Sequence, residues 1–421
     1  MNVFSDAGNT RILLYSLAVG GTLTLMSATG GVQGFVNWLE KKRWVRNRTQ
    51  AQLVPFLVGV LVTVESSITS LVAGTVGRPL TDRFKVSREK LAYICDSTSA
   101  PICILVPFNG WGAFILGLLA VQGVESPVAL LFQSIRVNFY PMAAIVIVFL
   151  SIVRKWNLGP MKAAELRAQH EGKVYGDGAR PMVADDVVGV KPLEGIQYRA
   201  VNLVAPVITM VVSIVVGIYA TGRLSAGEDA ELWDIIKASS GSTAVLWAVI
   251  MSLVVLAALN LFRGLPLNTF VDLIFKGMGG MIPVVSLLLL AFALGDAVRQ
   301  LGTGVYVAGV ISGVLSTKMA VIGLFLISCF VAFSTGTSWG TFAVMVPIAV
   351  PMATTLDGST PMFLAAVLGG GVFGDHCSPI SDTTIISSMA SASDHIDHVR
   401  TQIPFATVGA AVTIVIYLII A

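Results

Sequence analysis

The sequence predicts an all-α polytopic membrane protein built from two inverted structural repeats, each holding a re-entrant hairpin and a discontinuous helix. Three observations predict it. First, 55% of the 421 residues are apolar and 12% charged, against roughly 25% charged in soluble chains; apolar runs recur along the whole length between short polar loops. Second, two of these runs are interrupted at membrane depth by polar residues, at 96–101 (Asp-Ser-Thr-Ser-Ala-Pro) and at 369–384, which contains Gly-Asp-His-Cys-Ser-Pro-Ile-Ser-Asp-Thr-Thr. Third, two further runs with polar tips carry flanking charges that place them on opposite sides of the membrane.

Residues 11–29 form a first span, and 30–44, glycine-rich at its start and basic at Lys41, Lys42 and Arg43, an interfacial piece. Run 52–77 is apolar at both ends, reads Glu65-Ser66-Ser67-Ile68-Thr69-Ser70 in the middle, and has strongly basic flanks. If it crossed, one basic cluster would lie outside, so a hairpin with its tip at 65–69 is expected. Run 91–121, broken at Asp96, crosses outward and 128–153 returns, closing repeat one (1–153). Residues 154–199 form a soluble, partly disordered cytoplasmic loop, and 200–262 supply linking transmembrane helices. Repeat two occupies 263–421. In it 281–298 crosses, 302–317 is again glycine-rich, and 319–352 is a hairpin with tip 334–341 and almost no flanking basic residues. The second broken helix covers 362–390. A polar stretch at 394–400, whose His395 and His398 read as a solvated face, precedes the last crossing at 404–421. Repeat one begins almost directly at Arg11 whereas repeat two follows additional apolar helices. This mismatch predicts that one or more helices are missing before repeat one.

Irregular backbone in lipid is tolerated only where protein or water satisfies it, and a broken helix frees carbonyls at one end and amides at the other. Hydroxyls and carboxylates beside them make a hard-oxygen site suited to Na+. Ser97, Thr98 and Ser99 offer this in repeat one, and Ser378, Ser381, Thr383 and Thr384 in repeat two. The hairpin tips add Glu65, Ser66 and Ser67, and Thr335, Thr337 and Ser338. Asp96, Asp375 and Asp382 supply the negative charge. An uncompensated carboxylate at the bilayer centre costs at least about 2.5 kcal/mol, so each needs a reason, either ion handling or helix capping. Burial raises a carboxylate's pKa and a bound cation lowers it, so one aspartate can hold a proton or Na+ in turn, which is antiport. His376 is either a proton carrier or a cap of the break. No nucleophile with a base, P-loop or zinc motif is present, so an enzyme is not expected, and the four cysteines read as packing residues. An ion channel would need a continuous polar pore rather than two inverted breaks.

These residues also carry a resemblance. Residues 374–384, with 335–341 (Thr-Gly-Thr-Ser-Trp-Gly-Thr) and 96–101, make the chain resemble the NhaC-type Na+/H+ antiporter family of the ion-transporter superfamily, from Arg11 onward. The resemblance implies a multi-pass exchanger of the bacterial inner membrane, with Na+ held around Asp96, Asp375 and Asp382. No cofactor is implied beyond the transported Na+ and H+. The expected partners are the bilayer, the small cation and a second copy in a homodimer, with no nucleic acid. Some family members resemble exchangers of organic acids or amines, and that alternative stands beside Na+ for H+. The Glu65-Ser66-Ser67 tip departs from the Gly/Thr-rich tip of the family.

Overall fold

The computed structural model describes residues 7–41, 45–61, 63, 65–181, 192–227, 230–312 and 316–421, and among them the only regular secondary structure is helix. In chain order the helices are α1 (Ala7–Ala28), α2 (Gly31–Lys41), α3 (Arg48–Leu61), α4 (Ser66–Arg83), α5 (Arg88–Leu105), α6 (Gly110–Val121), α7 (Pro127–Ile135) and α8 (Phe139–Val153). There follow α9 (Gly159–His170), α10 (Val201–Ala226), α11 (Leu232–Ala238), α12 (Gly241–Leu261), α13 (Leu267–Gly280), α14 (Ile282–Gln300) and α15 (Thr303–Ser312). The last are α16 (Thr317–Thr335), α17 (Ser338–Thr355), α18 (Thr360–Cys377), α19 (Asp382–Ser391) and α20 (His395–Ile420). Among the described residues six helices are long and apolar enough to cross a membrane: α1, α10, α12, α16, α17 and α20. The fold is all-helical and polytopic. A pair of helices joined at a short tip, followed by a long helix, a break and a shorter helix, occurs twice, as α3 to α6 and as α16 to α19.

The helices group into two compact units. In the first, α1 packs on α12 and α13, and α10 on α12. Gly20 makes the closest crossing possible: a Cβ there would sit 2.4 Å from the Gly277 carbonyl oxygen of α13. Leu25, Met26, Leu203, Leu256, Phe270 and Leu273 fill this core. The second unit contains α3, α4, α5, α8, α9 and α16 to α20. Here α18 packs on α16 and α17, α19 on α4 and α5, and α20 on α8 and α18. In α18 a Cβ on Gly370 would lie 2.4 Å from the Phe325 carbonyl oxygen, and one on Gly374 2.3 Å from that of Cys329. The glycine run is therefore the seam that lets α18 lie against α16.

Several expectations change. The helix of repeat one is not broken at Asp96. α5 continues through Pro101 to Leu105, and the chain leaves helix only before Gly110, where Asn109 caps α6 through its side-chain oxygen, 2.9 Å from the Trp111 N–H. Pro107 and Asn109 are the true punctuation. In repeat two residues 369–377 are regular helix, and the break is confined to 378–381. The 154–199 loop is not simply irregular, since α9 forms within it and is tied down by Arg48 to Glu165 at 3.0 Å and Arg167 to Glu89 at 2.7 Å. Its residues 182–191 lie outside the described residues, as do Lys42, Arg43 and Trp44 of the interfacial piece, positions 62 and 64 just before the first tip, and 313–315 of the glycine-rich piece 302–317. The polar stretch 394–400 is not a solvated loop. Asp394 caps α20, which starts at His395, and His398 is fully buried.

Candidate functional site: two buried aspartates at a helix break

The break in repeat two is written by Ser-Pro-Ile-Ser. Pro379 disfavours helix at the residue before it, and Ser378 sits extended at φ −82°, ψ 127° as the C-cap of α18. Ser381 then restarts helix as the N-cap of α19, its hydroxyl accepting from the Thr384 N–H at 3.4 Å. The carbonyls freed at the end of α18 are met by side chains. Thr384 donates to the Asp375 carbonyl at 3.2 Å, and Gln402 of α20 to the His376 carbonyl at 2.8 Å. Ser378 in turn donates to the Phe333 carbonyl of α16 at 2.8 Å. The break is thereby held by α16, α19 and α20 without lipid having to satisfy any of it.

Asp375, in the last turn of α18, is buried, and its carboxylate accepts from the hydroxyls of Ser381 at 2.8 Å and Thr383 at 3.3 Å. Asp96, in the middle of α5, is fully buried; its Oδ2 accepts from Gln402 Nε2 at 2.6 Å and from Thr384 Oγ1 at 3.3 Å. Thr384 thus touches both halves: one hydroxyl contacts the Asp96 carboxylate and the Asp375 carbonyl. His398 Nε2 stands 3.4 Å from Asp96 Oδ2, and His376 Nδ1 is 2.9 Å from the Tyr140 hydroxyl. Asp96 Oδ1, Gln402 Oε1 and His398 Nδ1 are buried without a hydrogen-bond partner among the described residues. Buried polar atoms are rarely left without partners.

The structure separates the expected site residues into groups. Asp96, Asp375, Ser381, Thr383 and Thr384 are brought together. Asp382 is not gathered with them: it is exposed at the first position of α19, its Oδ1 2.9 Å from the Thr383 N–H, where a carboxylate complements the helix dipole. Among the described residues no three His, Cys, Asp or Glu side chains converge as one metal-holding group, while Asp382 stays within electrostatic reach of Asp375 and Asp96. Thr98 and Ser99 spend their hydroxyls on the carbonyls of Ile94 and Asp96 in their own helix, at 2.7 and 2.9 Å, and Ser97 faces Tyr93. Thr335 likewise bonds Val331 in its own helix at 2.8 Å and is exposed. Thr337 caps α17, and Ser338, buried, donates to the Gly371 carbonyl at 3.2 Å. Glu65 caps α4, accepting from the N–H groups of Ser67 and Ile68 at 2.8 and 3.2 Å and from the Ser66 hydroxyl at 3.0 Å. Deeper along α4, Ser70 receives the Ser387 hydroxyl of α19 at 3.1 Å, which locks the two helices.

Three residues of this network were not legible as such: His398, Gln402 and Tyr140. The signal available for the first two is their spacing, four apart on one face of an apolar helix that also carries Phe405.

Buried, hydroxyl-lined carboxylates at a helix break inside an all-helical polytopic fold define a membrane transporter rather than an enzyme. A family model described as the Na+/H+ antiporter family matches residues 112–421, and the chain belongs to that family. An uncharacterized protein of Haemophilus influenzae is 30% identical over 99% of this chain and 80% of its own length. The malate-2H+/Na+-lactate antiporter of Bacillus subtilis is 30% identical over 23% of this chain and 20% of its own. Among solved structures, the Alcanivorax borkumensis YdaH transporter superposes with a TM-score of 0.58 at 13% identity, covering 99% of this chain and 86% of that one. The chain is a multi-pass membrane protein of secondary transport by antiport.

Proposed function

We propose that the chain exchanges Na+ for H+ across the bacterial inner membrane by alternating access, with Asp375 and Asp96 as the groups that carry charge. The observation behind this reading is the pair of buried carboxylates at the break: Thr384 links the Asp96 carboxylate to the backbone carbonyl of Asp375, and Ser381 and Thr383 are turned onto the Asp375 carboxylate. Oxygen donors of this kind suit a small hard cation. Among the described residues no lysine or arginine side chain hydrogen-bonds or ion-pairs with Asp96 or Asp375, and the cationic partner that faces Asp96 is His398 when protonated, which leaves Asp375 for a transported cation or proton to neutralise. Neutralisation in turn by Na+ and by H+ is what couples the two flows.

A second reading is coupled exchange of a small organic acid or amine, favoured by the antiporter of malate and lactate to which the stretch of B. subtilis similarity belongs. A carboxylate substrate usually asks for a cationic anchor, which the pair lacks, so the inorganic ion stands first. The test is reconstitution into liposomes loaded with a pH-sensitive dye, pulsed with Na+, Li+, K+, malate, lactate and arginine. Proton movement with Na+ or Li+ alone supports the first reading. Movement only when an organic solute is added replaces it with the second.

A further inference from the structure

In the second unit, where α3 begins and α8 ends, lies a cavity of about 870 Å³ that the transport site does not use. Its inner wall is electrically satisfied. Glu165 accepts from Arg48 at 3.0 Å and from the Ser87 N–H at 2.9 Å, and Asn157 receives the buried Lys90 ammonium at 3.0 Å. Its rim is not. Arg154, Lys155 and Lys162 line the cavity, are exposed, and make no side-chain hydrogen bond or ion pair among the described residues. Three cations therefore surround one opening with no anion among the described residues to meet them.

What lies beside the rim identifies the guest. Val146, Phe149 and Val153 occupy one face of α8, three and four residues apart, and all three are exposed; Leu57 on α3 is exposed as well. This apolar strip ends at the rim, where Trp156, also exposed, adds the amphipathic ring typical of a membrane interface. Exposed apolar surface leading to a ring of free cations matches a molecule with hydrocarbon chains and an anionic phosphate head. Free phosphate would account for the cations alone.

We propose that this cavity binds the headgroup of an anionic phospholipid from the cytoplasmic leaflet, with Arg154, Lys155 and Lys162 on the phosphate and the acyl chains along Val146 and Phe149. Because Asn157 on the same turn holds Lys90 of α5, six residues before Asp96, an occupied cavity also steadies the helix that carries the transport carboxylate.

The test titrates the purified full chain in detergent with phosphatidylglycerol and with zwitterionic phosphatidylethanolamine, and reads bound lipid by native mass spectrometry. Phosphatidylglycerol should be held roughly a hundredfold more tightly, since each of the three cations near a surface contributes about a fivefold factor. Substitution of Arg154→Gln, Lys155→Gln and Lys162→Gln together should abolish the preference without changing thermal stability, and excess inorganic phosphate should leave the lipid bound. Equal retention of the two lipids, an undiminished preference in the triple variant, or displacement by inorganic phosphate would overturn the proposal.

Discussion

Thr384 has the most to reveal at the scale of single residues, because its one hydroxyl contacts the Asp96 carboxylate and the Asp375 carbonyl. Thr384→Val keeps the shape and removes the bridge. Leaving buried acceptors short of a donor costs about 1–3 kcal/mol, so Na+-driven exchange should fall about 5- to 150-fold, while Thr384→Ser should stay near wild type; dye-monitored exchange at varied Na+ reads both. Asp375→Asn and Asp96→Asn should each remove coupled exchange while the protein still elutes as a folded species. Much of this site was legible in the sequence, since carboxylates at membrane depth demand a reason. The individual hydroxyls were less so. Thr98, Ser99 and Thr335 turn back onto their own helices, a choice of rotamer that residue type does not encode. His398 was misplaced because the preceding polar residues look like a loop, and only the packing of α20 buries it.

At the scale of elements, the packing of α18 on α16 depends on glycine. Gly374→Ala would force a Cβ to 2.3 Å from the Cys329 carbonyl oxygen, and overpacking of this sort costs about 1–3 kcal/mol; earlier thermal unfolding in detergent should show it. A second prediction concerns the start of α20. Burial raises the Asp394 pKa, but N–H donors from Arg180, Asp397 and Ile396 outweigh it and hold the carboxyl below its ordinary value. A group depressed in the native state stabilises above its unfolded pKa, roughly 3.9, and that contribution is lost as pH falls through the native value. Asp394→Ala should therefore be less stable than wild type by about 0.5–2 kcal/mol at neutral pH, with the gap closing in acid. The helices themselves were largely visible as apolar runs. The break of repeat one was misread because Asp-Ser-Thr-Ser-Ala-Pro is rich in residues that compete with helix, yet tertiary packing buries that stretch as helix and Pro107 and Asn109 end it. α13 went unassigned because its glycines and its Asp272 and Lys276 dilute the apolar signal, whereas its burial of Phe270 and Leu273 against α1 sustains it.

For the whole molecule, membership in the antiporter family and the pair of buried aspartates point the same way, to the proposed exchange of a cation for a proton at Asp375 and Asp96. The most direct measurement is Na+-driven proton movement in proteoliposomes, with wild type and Asp375→Asn compared at matched insertion. In wild type, Na+ added outside should enter the lumen in exchange for protons leaving it and so alkalinise the lumen, and Asp375→Asn should respond no more than empty liposomes do. A wild-type response to Na+ that the Asp375→Asn protein reproduces in full would contradict the account.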